Sequence, residues 1–285
     1  MMSAAPAKLN LFLQVLGRRP DGHHDIVSLM APVTLSDAVA VEPLTEPVVE
    51  VEGGPPGLPP ELNLAWKAAR MLAPRARTVP GARIVLTKRI PTGGGLGGGS
   101  SDAAAVLLAL NDLWECRLAL EDLVSLAGRL GADVPFFLHR SPGVVRGVGE
   151  RFAPAALPSG FPAHLAILQP PFELSTADVY HKWDTLGRPT QGEDPALEAF
   201  LSDSGPLPLR NDLEAPAFAI RPELREIKEM IARCGACMAL MSGSGSCFWA
   251  AWESETARSE ALGALTKRLK FYIVSAVRGV SGQKL

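Results

Sequence analysis

Cysteine is scarce in this chain: four residues in 285, Cys116, Cys234, Cys237 and Cys247, too few for a disulfide framework. Cys234-Gly-Ala-Cys237 has the spacing of half a redox or zinc site. No second such pair and no His pair at ligand spacing completes it, so buried thiols are expected instead. Neither sign of charge dominates. The 28 Lys and Arg stand against 30 Asp and Glu, scattered rather than blocked, which argues against nucleic acid or an anionic membrane as the main partner. No apolar run approaches a membrane span, and no basic stretch with an apolar core behind it opens the chain. A soluble, cytoplasmic protein is expected. Internal repeats and low-complexity arrays are missing too. A length of 285 residues suggests about two domains, each able to bury a core.

What the chain has is glycine, concentrated in Pro91-Thr92-Gly93-Gly94-Gly95-Leu96-Gly97-Gly98-Gly99-Ser100-Ser101-Asp102. This stretch lies between a strand-like run at 82–86 and the helix-forming run 103–110. Residues without Cβ let backbone approach a bulky anion, and a helix start offers unpaired N–H groups at its positive end. Together these make a phosphate cradle. The plainer reading is a flexible turn, but linkers rarely end in Ser-Ser-Asp capping residues followed by an Ala-rich helix. No Lys-Ser/Thr pair follows the last glycine, so this is not Walker A. Gly93, Gly95 and Gly98 fit G-x-G-x-x-G, but a dinucleotide fold needs a strand after the helix. Here Leu120, Leu123, Val124, Ala127 and Leu130 predict a second helix, stopping at Gly131. An oxidoreductase is therefore the second choice.

Elsewhere the pattern is mixed. Residues 7–16 alternate as a strand, with Lys8 and Asn10 on the face opposite the main apolar set; a solvent-facing edge would look the same. His23 and His24 follow a turn at 17–22 and lead into a strand reaching Val41. A short strand is expected at 48–51, and Asn63 stands where it would cap a helix containing Leu64, Lys67, Ala68 and Met71. Asp133, ahead of Val134-Pro135-Phe136-Phe137, reads either as the cap of a short helix or as a general base set among apolar side chains. A glycine-interrupted strand is expected at 144–152 and a domain connection at 154–162. The remainder reads as a strand at 164–168, a loop at 170–180 and an irregular stretch at 184–210 around a helix near 196–201. A helix with the stripe Leu224, Ile227, Ile231 and Cys234 follows. Strands at 238–241, 247–252 and 271–277 and a helix at 253–269 complete it. The order strand, helix, strand, strand, helix, strand suggests a ferredoxin-like second domain.

Three separated segments combine into a resemblance: Pro6-Ala7-Lys8-Leu9-Asn10-Leu11, residues 91–104, and Leu240-Met241-Ser242-Gly243-Ser244-Gly245-Ser246. Together they resemble the GHMP family of small-molecule kinases over nearly the whole chain. Asp21-Gly22-His23-His24 and the segment 130–137 narrow the resemblance to members acting on a cytidine-diphosphate-linked methylerythritol in the non-mevalonate isoprenoid pathway. The resemblance implies an α+β fold of two domains. Residues 1–155 would resemble domain 2 of ribosomal protein S5 and 156–285 would be ferredoxin-like. It implies phosphorylation of the substrate's 2-hydroxyl by ATP, arriving as its magnesium complex, with metal ligands left unassigned.

By the same similarity Asp133 is the base near the acceptor hydroxyl, and Lys8 keeps it ionised and neutralises phosphate charge. Asn10 sits beside Lys8. Pro91, Gly93, Gly94, Gly95, Leu96, Gly97, Gly98, Gly99, Ser100 and Ser101 wrap the phosphates, while Asn63, Lys88 and Asp102 line the nucleoside pocket. Gly243, Ser244 and Gly245 close over the transfer site, although alone they read as a tight turn between strands. His24 contacts the cytosine edge and Tyr180 stacks on its ring, with Thr176 in the same segment; a core aromatic is the plainer reading of Tyr180. His23 departs from the family's usual Tyr, which implies altered substrate affinity with function retained.

Overall fold

The structure is a computed structural model that describes residues 1–55, 57–157, 161–186 and 192–277. In chain order its elements are β1 (Met2–Arg18), β2 (His24–Pro43), β3 (Val49–Gly53), α1 (Leu64–Leu72), β4 (Ala82–Thr87), α2 (Gly98–Leu113), α3 (Leu120–Gly128) and α4 (Val134–His139). They continue with β5 (Gly143–Gly147), β6 (Arg151–Pro154), β7 (His164–Gln169), α5 (Thr176–Leu186), α6 (Pro195–Leu201), α7 (Glu214–Ile220) and α8 (Glu223–Arg233). β8 (Met238–Met241), β9 (Phe248–Trp252), α9 (Glu255–Leu265) and β10 (Lys270–Val274) complete the order. The chain divides into two compact units that share the long strands: Met1–Ala7, Leu35–Ile90 and Gly97–Arg140 in one, and Lys8–Thr34, Pro91–Leu96 and Ser141 onward in the other.

In the first unit β3 runs parallel to β4, and β4 pairs antiparallel with β2 in the register Val41↔Ile84. Alternate residues of β4, Ala82, Ile84 and Leu86, are buried, the half-buried strand its pattern predicts. Asn63 caps α1 as expected, its Oδ1 accepting from the Ala65 N–H at 2.9 Å. The glycine stretch ends differently from expectation. Ser100, Ser101 and Asp102 do not cap α2; they lie inside it, because Gly97 takes the N-cap position at φ +72° with no side-chain cap bond. Only glycine adopts that backbone without strain, so the helix starts earlier than the serines suggest. α2, with its alanines buried, packs against α1 and α4.

The second unit holds a four-stranded antiparallel sheet in the order β10-β7-β9-β8. With α8 between β7 and β8 and α9 between β9 and β10, this is the ferredoxin-like arrangement the element order suggested. Leu168, Met241, Phe248, Trp252, Leu224 and Leu262 are among the residues of its core. Residues 26–30 of β2 pair with β5, and β5 with β6. The strand expected at 144–152 is thus a hairpin, turned at Gly147 and Gly149, both at positive φ. The loop expected at 170–180 already contains the first turn of α5, and α7, with Pro216 inside it, was not anticipated. Part of the expected connection at 154–162, and residues 187–191 of the expected irregular stretch, lie outside the described residues.

Cys116 and Cys247 are buried as expected, but Cys234 is only half-buried and Cys237 is exposed. Cys234 caps the end of α8 and Gly235 turns the chain away at φ +76°, so the helix stop, not packing, sets this pair. Among the described residues no cluster of His, Cys, Asp or Glu could hold a metal ion. Nor is any helix among them long and apolar enough to cross a membrane.

Candidate active site

In the second unit the first half of the glycine stretch faces the turn between β8 and β9. The carbonyl of Gly93 accepts from Ser246 N–H at 3.2 Å and that of Gly94 from Cys247 N–H at 3.3 Å. The Gly95 carbonyl accepts from Ser242 Oγ at 3.0 Å, and that of Leu96 from Lys8 N–H at 3.0 Å. Four successive carbonyls are therefore tied back into protein. The N–H groups of residues 92–96 donate to no acceptor among the described residues. A run of N–H groups left free while the carbonyls are occupied is the arrangement that receives an anion. Gly95 is required at its position: φ is +72°, and a Cβ there would lie 2.0 Å from the Ser242 carbonyl oxygen.

Lys8 and Asn10 are not on a solvent-facing edge. Both are buried, because β1 is covered on both faces from Ala7 to Val15. Lys8 Nζ donates to Asn10 Oδ1, and Asn10 Nδ2 donates to Ser28 Oγ at 2.8 Å. A Cβ on Gly243 would stand 3.2 Å from Lys8 Nζ and 3.4 Å from Asn10 Oδ1. The second glycine turn thus lies directly against the buried ammonium. Thr176, at the start of α5, shares a 2.8 Å hydrogen bond with Ser244 of the same turn.

In the first unit the second half of the stretch opens α2. The N–H groups of residues 97–100 have no acceptor among the described residues, as at any helix start. Ser101 Oγ and Asp102 Oδ1 are buried without a hydrogen-bond partner. Asp102 Oδ2 accepts from Lys88 Nζ at 2.6 Å, and Lys88 also bonds Asp37 Oδ2. Burial pushes the Asp102 carboxyl up to about 6, against the opposing pull of the Lys88 ammonium. Asp37 Oδ1 accepts from the N–H groups of Arg89 and Ile90, fixing the exit of β4 just ahead of the glycines. Asn63 is occupied in capping α1. Asp133 occupies the N-cap position of α4 but makes no capping hydrogen bond, so the cap reading does not account for its side chain.

His24 and Tyr180 come together in the second unit, rings stacked at 4.7 Å and 29°. His23 stands apart, exposed, 3.5 Å from Asp21. Three residues that sequence reasoning passed over are prominent. Asp37 organises Lys88. Asn211 donates from Nδ2 to the carbonyls of both Met241 and Gly243 at 2.8 Å, holding the second glycine turn. Asp184 bonds His24 Nε2 at 2.7 Å. Asp184 alone had a usable signal, standing four residues after Tyr180 on one helix face.

Comparison with known proteins gives the family. Residues 63–141 match the family profile described as GHMP kinases N terminal domain, and residues 195–270 match GHMP kinases C terminal. The chain belongs to the GHMP kinase family and is a phosphotransferase of that fold, which implies ATP as the phosphoryl donor. A 4-diphosphocytidyl-2-C-methyl-D-erythritol kinase of Nitrosospira multiformis is 40% identical over 275 residues, covering 96% of this chain and 90% of the relative. The enzyme of the same name from Thiobacillus denitrificans is 41% identical over 271 residues, covering 94% and 92%. A crystal structure of 4-(cytidine 5'-diphospho)-2C-methyl-D-erythritol kinase superposes with a TM-score of 0.82 at 40% identity, covering 98% of this chain and all of that one. A homoserine kinase from Cytophaga hutchinsonii, at 19% identity and TM-score 0.71, shares the fold.

Proposed function

We propose that the chain transfers the γ-phosphoryl group of ATP to the 2-hydroxyl of 4-(cytidine 5'-diphospho)-2-C-methyl-D-erythritol. The products are the 2-phosphate and ADP, within cytoplasmic non-mevalonate isoprenoid synthesis. The observation that carries the reading is the glycine stretch with its carbonyls tied inward and its N–H groups left free. The relatives' printed names supply the acceptor. Residues 1–155 serve as the N-terminal kinase domain and 156–285 as the C-terminal one.

Phosphoryl transfer needs positioning and charge stabilisation more than covalent chemistry from the protein. Pro91 to Ser101 hold the triphosphate, and Lys88, Asn63 and Asp102 border the nucleoside. Lys8 offsets negative charge on the transferring group; its burial strengthens that effect. Asp133 accepts or orients the acceptor hydroxyl's proton. Asn10, Gly243, Ser244, Gly245 and Thr176 shape the acceptor side, while His24 and Tyr180 take the cytosine. Magnesium bound to the triphosphate would supply further charge neutralisation. The buried, unpartnered Ser101 hydroxyl fits an oxygen ligand for it.

The test is a phosphoryl-transfer assay with the cytidyl substrate. Asp133→Asn and Lys8→Ala should each lower kcat by about a hundredfold or more while the protein stays folded by circular dichroism. Near-normal turnover in both folded variants would refute the assignment.

A further inference from the structure

His24 is surrounded by one face of α5. Tyr180, Trp183 and Asp184 follow the i, i+3, i+4 spacing that brings helix side chains together, and all three meet the same imidazole. Tyr180 stacks on the ring at 4.7 Å, Trp183 meets it edge-on at 5.4 Å and 86°, and Asp184 Oδ1 lies 2.7 Å from Nε2. The two aromatic contacts fix the plane of the ring, whose side chain is only 8% exposed. With the plane fixed, what remains to be set is which nitrogen carries the proton. Arg18 Nη1 lies 3.5 Å from the other carboxylate oxygen of Asp184. An ionised carboxylate only accepts hydrogen bonds, so Nε2 must present N–H to it. In the neutral imidazole Nδ1 is then a bare acceptor, and among the described residues no protein group donates to it.

We propose that Asp184 is the positioning residue that sets base selectivity. By holding His24 in the Nε2–H tautomer it leaves Nδ1 to accept from the exocyclic amino group of cytosine. Uracil carries a keto oxygen at that position, and two acceptors facing each other exclude it. The inference deepens the proposed function and rests on its placing the cytidine at His24. Asp184→Asn keeps the shape but can turn an amide N–H toward Nε2, which moves the ring proton to Nδ1 and converts the acceptor into a donor.

The experiment uses the full-length protein as wild type and Asp184→Asn. It measures kcat/KM for the cytidine-diphosphate-linked substrate and for its uridine counterpart, together with the imidazole 15N shifts of His24, assigned by their loss in His24→Gln. Wild type should show the Nε2–H tautomer and reject the uridyl substrate. In Asp184→Asn the Nδ1–H form should grow and the cytidyl-to-uridyl ratio of kcat/KM should fall about tenfold or more, with the KM for ATP unchanged. An Nδ1–H tautomer in wild type would overturn the proposal. So would equal losses on both substrates in Asp184→Asn, which is what a merely structural aspartate predicts, or an unchanged ratio. If wild type does not phosphorylate the cytidyl substrate at all, the proposed function falls. The tautomer, and calorimetric binding of cytidine against uridine 5'-diphosphate, then decide the Asp184 proposal by themselves, equal affinity for the two counting against it.

Discussion

Asp102 sits inside a helix with one oxygen on Lys88 and the other on nothing. Burial pushes its folded-state carboxyl up to about 6, from an ordinary value of 3.8. A raised acid holds its proton in the folded state at pH values where the unfolded chain has released it. Its contribution to stability is therefore complete below about 3.8 and is lost as pH rises through about 6. Asp102→Asn removes that dependence. Urea unfolding at pH 4.5 and pH 7 should find the variant gaining on wild type at the higher pH; an equal gap at both would contradict the burial argument. The aspartate itself was readable in the sequence, as a residue of the glycine stretch. Its partner Asp37 was not, because 51 residues separate Asp37 from Lys88 and nothing in a local pattern links them. Lys8 and Asn10 were legible as a shared face, since strand alternation is local. Their burial was not, since it depends on what covers the strand.

Among the elements, the turn between β8 and β9 is defined from a distance. Asn211 donates to two of its carbonyls and accepts from Leu213 N–H at 2.9 Å through Oδ1, so one buried amide binds that turn to the start of α7. Asn211→Ala would leave the Met241 and Gly243 carbonyls without this donor, a cost of about 1–3 kcal/mol each when no water replaces it. The expected result is a stability loss of about 2–6 kcal/mol by denaturant titration, with KM for the acceptor raised more than KM for ATP. Stability within about 0.5 kcal/mol of wild type would show the amide to be dispensable. The sequence marked the turn itself through its alternating Ser and Gly, but not its clamp. It also missed α7, only seven residues long with a proline inside, which no helical periodicity could reveal. The helices with long apolar stripes, such as α8, were legible.

β1 belongs to both compact units. Its later part is bound to distant sequence: Leu13 N–H donates to the Arg210 carbonyl at 2.7 Å, Val15 N–H to Asp212 Oδ2 at 2.9 Å, and Trp249 Nε1 to the Asn10 carbonyl at 2.9 Å. A fragment of residues 1–155 would retain the buried sequence of β1 but none of these partners. It should show no cooperative unfolding transition by circular dichroism in urea; a sharp transition would mean that the strand finds other partners. The ferredoxin-like sheet was legible because its element order alone nearly determines it. The sharing of strands between units was not, because an alternating strand looks the same whichever neighbours it acquires.

The anchoring of the glycine stretch has one more implication. Gly93, Gly94 and Leu96 are held through main-chain donors of Ser246, Cys247 and Lys8, and only Gly95 through a side chain, that of Ser242. These main-chain donors do not depend on the side chains at 246 and 247, whereas proline at 247 would delete a donor outright. At 246 and 247 it is the main chain that moors the glycine stretch, whereas Ser242 moors it by its hydroxyl and Gly243 and Gly245, both at positive φ, hold the turn's shape.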